Sequence, residues 1–227
     1  MIIPFILSFL LIIYAIFVSY ITKKIFDFMV SKGIKNNDAI YYNRKLVHIL
    51  AGGIIALFVP LFPTPIFPLF SGIILAFFTF YSHKRGQMLY WFQNNNDLND
   101  VSFCLMWGFT VFILWTLTGS PWISIIPITF MAFGDGITGI VRNAMFKKRI
   151  KHPLGNLYMF GICAPLGFIF AQFSSISGMI YWAVIAAAVA SFIERYEFGK
   201  IDDNILITIS SSIIIYIGFI YNSIIIL

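Results

Sequence analysis

The charged side chains of this chain stand in a few short clusters, and the stretches between them are almost wholly apolar. The 15 Lys and Arg fall in four groups: Lys23 to Lys45, Lys84 with Arg85, Arg142 to Lys151, and Arg195 with Lys200. The 9 Asp and Glu lie in or next to the same groups, apart from Asp135. Most of the intervening stretches are long enough for two membrane passes. They fold back at uncharged turns, Pro60 to Pro65, Thr118 to Pro121, and Ser174 to Gly178. Cationic loops are retained on the cytoplasmic side of a membrane, so the pattern predicts a topology and the side on which polar chemistry takes place.

With 60% hydrophobic and 11% charged residues and a mean hydropathy of +0.91, the composition excludes an ordinary soluble domain, for which about 25% charged is usual. A helix needs about 20 apolar residues to cross the bilayer core. About eight spans are expected: Ile2–Thr22, Leu46–Phe62, Pro65–Ser82, Val101–Leu117, Trp122–Val141, Leu154–Phe173, Ser177–Ile193 and Ile205–Leu227. This is an all-α, polytopic integral membrane protein with both termini outside and every charged cluster inside. No linker is long enough to separate a second domain, so residues 1–227 form a single membrane domain. The first span lacks a positive flank before it and a small-residue cleavage site, and is expected to be a retained anchor.

The net charge of +6 belongs to loops beside helix ends and forms no aromatic-rich basic groove, so nucleic acid is not an expected partner. Cys104 and Cys163 sit inside apolar spans without a CxxC, which supports neither zinc nor a disulfide framework. In segment 83–100 the run Met88, Leu89, Tyr90, Trp91 and Phe92 is consistent with a short interfacial helix or with a loop lying on the membrane.

Asp135 is the residue that composition least explains. It stands in Gly134-Asp135-Gly136-Ile137-Thr138-Gly139 within the fifth span, where a carboxylate costs about 2.5–3.5 kcal/mol to insert. Such a group persists facing a polar cavity, a partner or a metal. The flanking glycines let a backbone, a helix or a phosphate approach closely. The same six residues spell G-x-G-x-x-G, but a membrane span precedes them instead of a strand, so the dinucleotide-binding reading is rejected.

The loop that follows carries Arg142, Lys147, Lys148, Arg149 and Lys151, then His152-Pro153-Leu154-Gly155. It suits a triphosphate with its divalent metal, and equally a topogenic loop touching lipid phosphates. Glu194 and Glu197 close the seventh span, and Asp202-Asp203-Asn204 opens the eighth. Adjacent carboxylates are hard oxygen ligands of the kind Mg2+ takes together with substrate phosphates; they also cap helices. Arg44-Lys45-Leu46-Val47-His48 introduces the second span, with His48 about one turn in and on the face of Arg44 and Lys45. There it satisfies a helix contact, binds phosphate or shuttles a proton.

Three of these features, in this order, resemble the CTP-dependent kinases of isoprenoid alcohols: dolichol, polyprenol and phytol kinases. The R-K-x-x-H of that family is matched by Arg44, Lys45 and His48. Its Gly-Asp followed by a basic loop is matched by Gly134, Asp135 and the Arg142–Lys151 segment. Its closing Glu and Asp-Asp-Asn are matched by Glu194, Asp202, Asp203 and Asn204. The resemblance covers residues 41–227 and leaves 1–40 as a variable N-terminal span and loop. One motif departs: where the family continues with K-[ST]-x-E-G, this chain has Lys151-His152-Pro153-Leu154-Gly155, with Leu154 in place of the Glu.

The resemblance implies phosphorylation of a membrane isoprenoid alcohol, with CTP as donor and Mg2+ or another divalent metal as cofactor, at the cytoplasmic face. Asp135 would orient or deprotonate the hydroxyl or hold metal, and Asp202 and Asp203 would hold metal. Arg44, Lys45, Arg142, Lys151, Gly134, Gly136, Gly155 and Asn204 would contact nucleotide or phosphate, and His48 is assigned to phosphate contact in the catalytic set. The nearest rival, a membrane cytidylyltransferase making a CDP-lipid, lacks here its expected K-D-rich close with G-H-G-G and a D-R pair. A proton-coupled transporter would also use Asp135, but needs polar groups on both sides of the membrane, and the outer turns offer only Ser, Thr and Pro.

Overall fold

A computed structural model describes residues 2–86, 88–94, 97–146, 152–196 and 201–225. Every helix expected from the apolar pattern is present. They are α1 (Ile3–Ser31), α2 (Asn36–Leu61), α3 (Ile66–Lys84), α4 (Asn99–Thr118), α5 (Pro121–Phe146), α6 (Pro153–Phe173), α7 (Met179–Ile193) and α8 (Asp203–Ile225). All but α7 are long and apolar enough to cross a membrane. With 15 residues, α7 rises about 22 Å, short of the roughly 30 Å hydrocarbon core.

The three uncharged turns close where the sequence puts them. Gly119 ends α4 in the left-handed region (φ 68°), and Ser120 caps α5 by accepting from the Ile123 amide at 3.4 Å, with Pro121 at the first helical position. Proline fits there because its missing N–H has no helical partner to lose.

Three boundaries differ from expectation, and each extends a helix into charged sequence. The first helix runs to Ser31, past Lys23, Lys24 and Asp27, instead of ending at Thr22. The second helix starts at Asn36 instead of Leu46, so Arg44, Lys45 and His48 lie in its interior and are nearly covered. The fifth continues to Phe146 and carries Arg142 with it. Hydropathy alone ends a span at its first cations; here Lys45 and Arg142 find buried carboxylates, Arg44 pairs with the partly exposed Asp97, and Lys23 and Lys24 lie over aromatic rings.

The centre of the bundle is α5. In its most apolar window 83% of the residues are buried, against 17–44% for the other long helices. Small residues let its neighbours close around it: Ala183, Ala186, Ala187 and Ala190 of α7 are fully buried, and Gly72 of α3 meets Gly108 of α4 nearly backbone to backbone. Such stripes are how helices associate where lipid removes the hydrophobic drive.

The segment between α3 and α4 folds into the protein. Residues 90–92 form turns, and no helix occurs among the described residues 88–94. Asn43 donates to the carbonyls of Thr22 and Trp91 (2.8 and 2.9 Å), and the Trp91 indole donates to the Ser19 carbonyl at 2.8 Å. These bonds tie α1, α2 and the segment together, and Phe92 and Gln93 are buried beneath them.

Candidate functional site

Both α2 and α5 depart from α-helical winding at the point where they meet. His48–Gly53 and Phe130–Asp135 are π-helical, and the two segments pack against each other. A π-turn inserts a residue, re-aims the side chains beyond it and loosens the carbonyl ladder; such turns are frequent at functional sites. In this case it brings Asp135, the last residue of its π-turn, against Lys45 of α2. The Lys45 ammonium donates to the Asp135 carboxylate, and both groups are buried. The Tyr41 ring lies 5.6 Å from the same ammonium.

A second ion pair lies alongside. Arg142 follows Asp135 by about two turns of α5 and donates to both oxygens of Glu194, at 3.0 and 3.2 Å. Glu194 is the C-cap of α7 and fully buried. Asp203, the first residue of α8, completes the cluster: carboxylate oxygens of Asp135, Glu194 and Asp203 all lie within 4.8 Å of one another. The Lys45 charge interacts with both Asp135 and Asp203, and that of Arg142 with Glu194 and Asp135. Four helices thus bring three acids and two buried cations together.

The Asp-Asp-Asn segment divides its labour. Asp202 is the N-cap of α8 and accepts from the Ile205 amide at 3.1 Å; the Ser102 hydroxyl of α4 also donates to it. Burial pushes its carboxyl above the usual carboxylate range, against the opposing pull of those two hydrogen bonds. Asn204 donates to the Asn99 carbonyl at 3.2 Å and to Asp202 at 3.4 Å. Asp202 and Asn204 therefore fasten α8 to α4, and it is Asp203 that joins the acids.

Arg44 lies one helix face away from Lys45 and pairs with Asp97 at 3.2 Å. The space beside each glycine is taken by protein: Cys163 and Met159 lie against Gly134, Ile49 against Gly136, and the Arg142 guanidinium against Gly155, 3.1 Å from where a Cβ would stand. A side chain at position 155 would press on the arginine that holds Glu194. His48 is buried and stacked on Phe103, with ring centroids 3.9 Å apart. Lys151, with Lys147, Lys148, Arg149 and Glu197, lies outside the described residues.

Glu194 is the member that reading for metal ligands omitted, although its position at the end of an apolar span marked it. Tyr41, Asp97 and Ser102 carried no signal in the sequence. Three carboxylates are a hard-oxygen donor set of the kind that suits Mg2+ or a similar ion. Octahedral ligands of Mg2+ stand roughly 3–4.2 Å apart, somewhat closer than the 4.8 Å within which these oxygens lie.

Comparison with protein-family models, with curated proteins and with solved structures found no match in any of the three.

Proposed function

We propose that this protein transfers the terminal phosphoryl group of a nucleoside triphosphate, CTP by the resemblance of its motifs, to the hydroxyl of a membrane isoprenoid alcohol. The convergence of Asp135, Glu194 and Asp203 within 4.8 Å, beside the buried Lys45 and Arg142, carries this reading. Phosphoryl transfer asks mainly for positioning and for neutralisation of charge on phosphate oxygens. A cluster that alternates buried cations with carboxylates supplies both.

The hydroxyl oxygen attacks the γ-phosphorus, the bond from that phosphorus to the β–γ bridging oxygen breaks, and the nucleoside diphosphate leaves with that oxygen. Asp135 orients the hydroxyl and takes its proton. A largely dissociative transition state asks little of that base. Lys45 and Arg142 rest on carboxylates here; an incoming triphosphate competes for both cations and frees those carboxylates. Asp135, Glu194 and Asp203 would hold a divalent cation, which on binding offsets the phosphate charge.

The cytoplasmic placement of the cluster rests on the pattern of four cationic groups in the sequence, which the positive-inside rule puts on one side. Cysteines introduced at positions 36 and 85 should label from one side and those at 64 and 175 from the other, in a background with Cys104 and Cys163 replaced; labelling of 36 and 85 from opposite sides would overturn the topology. The activity itself is tested with purified protein, Mg2+, isoprenoid alcohols and CTP labelled at either the α- or γ-phosphate. The expected product carries only the γ label. Transfer of the α label would establish a cytidylyltransferase, and no transfer with any triphosphate would remove the enzymatic reading.

A further inference from the structure

An elongated apolar groove of about 110 Å³ runs between α1, α2, α3 and α4, and its inner end stops at Arg44, His48 and Asp100. Away from that end its walls are mainly aliphatic and aromatic, with Ala51, Ile55, Leu75 and Trp107 among them. The walls are fixed by the π-turn of α2. Tyr14 of α1 donates to the Leu50 carbonyl at 3.1 Å, and the Trp107 indole of α4 donates to the Gly52 carbonyl at 3.0 Å. Side chains from two sides of the groove thus occupy carbonyls of that loosened ladder.

The three ionisable residues at the inner end are not equivalent. Arg44 is engaged by Asp97, and Asp100 by His83 and Gln93. His48 is 3% exposed, and neither of its ring nitrogens meets a hydrogen-bonding partner among the described residues. Burying a polar group without a hydrogen bond is costly, so such groups are nearly always satisfied. The imidazole lines the groove, about one helical turn after the Lys45 that pairs with Asp135, and its π-helical segment packs against the one that ends in Asp135. It therefore stands between an apolar channel and the carboxylate cluster.

We propose that the groove binds a single linear apolar chain ending in a hydroxyl, and that His48 holds this hydroxyl by a hydrogen bond at the edge of the cluster. The inference rests on the proposed function for the identity of the alcohol, and on His48 and the groove for its location. From Arg44 to Ile55 the helix rises roughly 16 Å. At about 1.2 Å per bond of an extended chain, that length takes roughly 13 bonds, about three isoprene units; the groove's 110 Å³ encloses the hydroxyl end of such a chain and leaves the rest along its open side. Longer tails would leave the groove for the surrounding lipid, so affinity should rise with chain length up to about that point and then level off.

The test uses the full-length protein in phosphatidylcholine nanodiscs and a farnesol analogue with a diazirine on its second isoprene unit. Photolabelling should fall on peptides of α2, α3 and α4 that line the groove. Unlabelled farnesol should displace the probe at least tenfold better than the matching hydrocarbon without a hydroxyl. In His48→Leu that preference should disappear while labelling persists, and His48→Gln should restore part of it. Leu75→Trp should reduce labelling with or without the hydroxyl; Ile55→Phe serves the same purpose should the first variant fail to fold. Labelling spread over lipid-facing surfaces, equal displacement by alcohol and hydrocarbon, or equal labelling by a diacyl phospholipid probe would overturn the proposal. Groove labelling without phosphoryl transfer would leave the proposal standing and count against the kinase reading; transfer with labelling elsewhere would do the reverse.

Discussion

Two buried polar networks lie at the same end of this helical bundle, and they are built differently. In the network around α3 and α4, each acid has its own donors: Asp100 accepts from His83 at 3.0 Å and from Gln93 at 2.6 Å, while Asp97 accepts from Arg44 and Asn94. Among the described residues there, no group of three acids converges as it does around α5. In the network around α5, Asp135, Glu194 and Asp203 come from three helices to within 4.8 Å. Carboxylates repel, and a buried ion pair gains little stability over an apolar replacement. A fold that gathers acids in this way spends stability on the arrangement, whereas the first network can be understood as fastening the α3–α4 connection to the bundle.

The largest difference between the networks should appear in turnover. Asp135→Asn keeps an oxygen to accept from Lys45 but loses the charge and the proton acceptor. Turnover should fall by about 10²–10⁴, the range of a positioned acid–base group, with the protein still folded. Asp100→Asn in the other network should leave turnover within a few-fold. Comparable activity of both variants in the γ-labelled assay would erase the distinction.

Stability should separate the two next. Arg142→Ala leaves Glu194 buried without its guanidinium and should cost about 3–5 kcal/mol, the usual penalty for removing one partner of a buried pair. His83→Ala leaves Gln93 still donating to Asp100 and should cost about 1–3 kcal/mol. Thermal unfolding in detergent ranks them; a His83→Ala protein less stable than Arg142→Ala would reverse the roles given to the two networks.

How much of this was legible before the structure follows from the range of the interactions. The helices were, because hydrophobic stretches and uncharged turns are local, and so was Asp135, because a lone acid in an apolar span has no local explanation. The pairing of Arg142 with Glu194 spans 52 residues and depends on how α5 and α7 pack, which no local pattern encodes. The π-turns at His48 and Phe130 have no composition cue either, yet they decide which side chains meet. Extension of α2 back to Asn36 was hidden for a related reason. Arg44 and Lys45 read as the edge of a span until Asp97 and Asp135, far along the chain, are seen to receive them.

A third contrast lies within the cluster, between Asp203 and the cation it would help to hold. Asp203→Asn should weaken metal-dependent nucleotide binding, since Mg2+ relies on few protein oxygens, and raised Mg2+ should recover part of the affinity. Titrating Mg2+ against CTP binding decides it. An unchanged metal dependence would remove Asp203 from the ligand set and leave the cluster as an ion-pair network like its neighbour.

The smallest effect is expected one residue earlier. Asp202 accepts from the Ile205 amide and the Ser102 hydroxyl, and asparagine caps a helix about as well as aspartate. Asp202→Asn keeps one oxygen for the Ile205 amide and puts an NH2 where the other oxygen was, so the Ser102 hydroxyl must turn to accept from it; that loss is offset by relief of a carboxylate that burial disfavours. Stability should therefore change by less than about 0.5 kcal/mol, and the metal dependence of nucleotide binding should match that of the unaltered protein. Asp202→Ala, by contrast, loses the cap and should cost about 1 kcal/mol, again without a change in metal dependence. If Asp202→Asn instead raises the Mg2+ requirement as Asp203→Asn does, then both acids serve the metal, and the division of labour between the two neighbours fails.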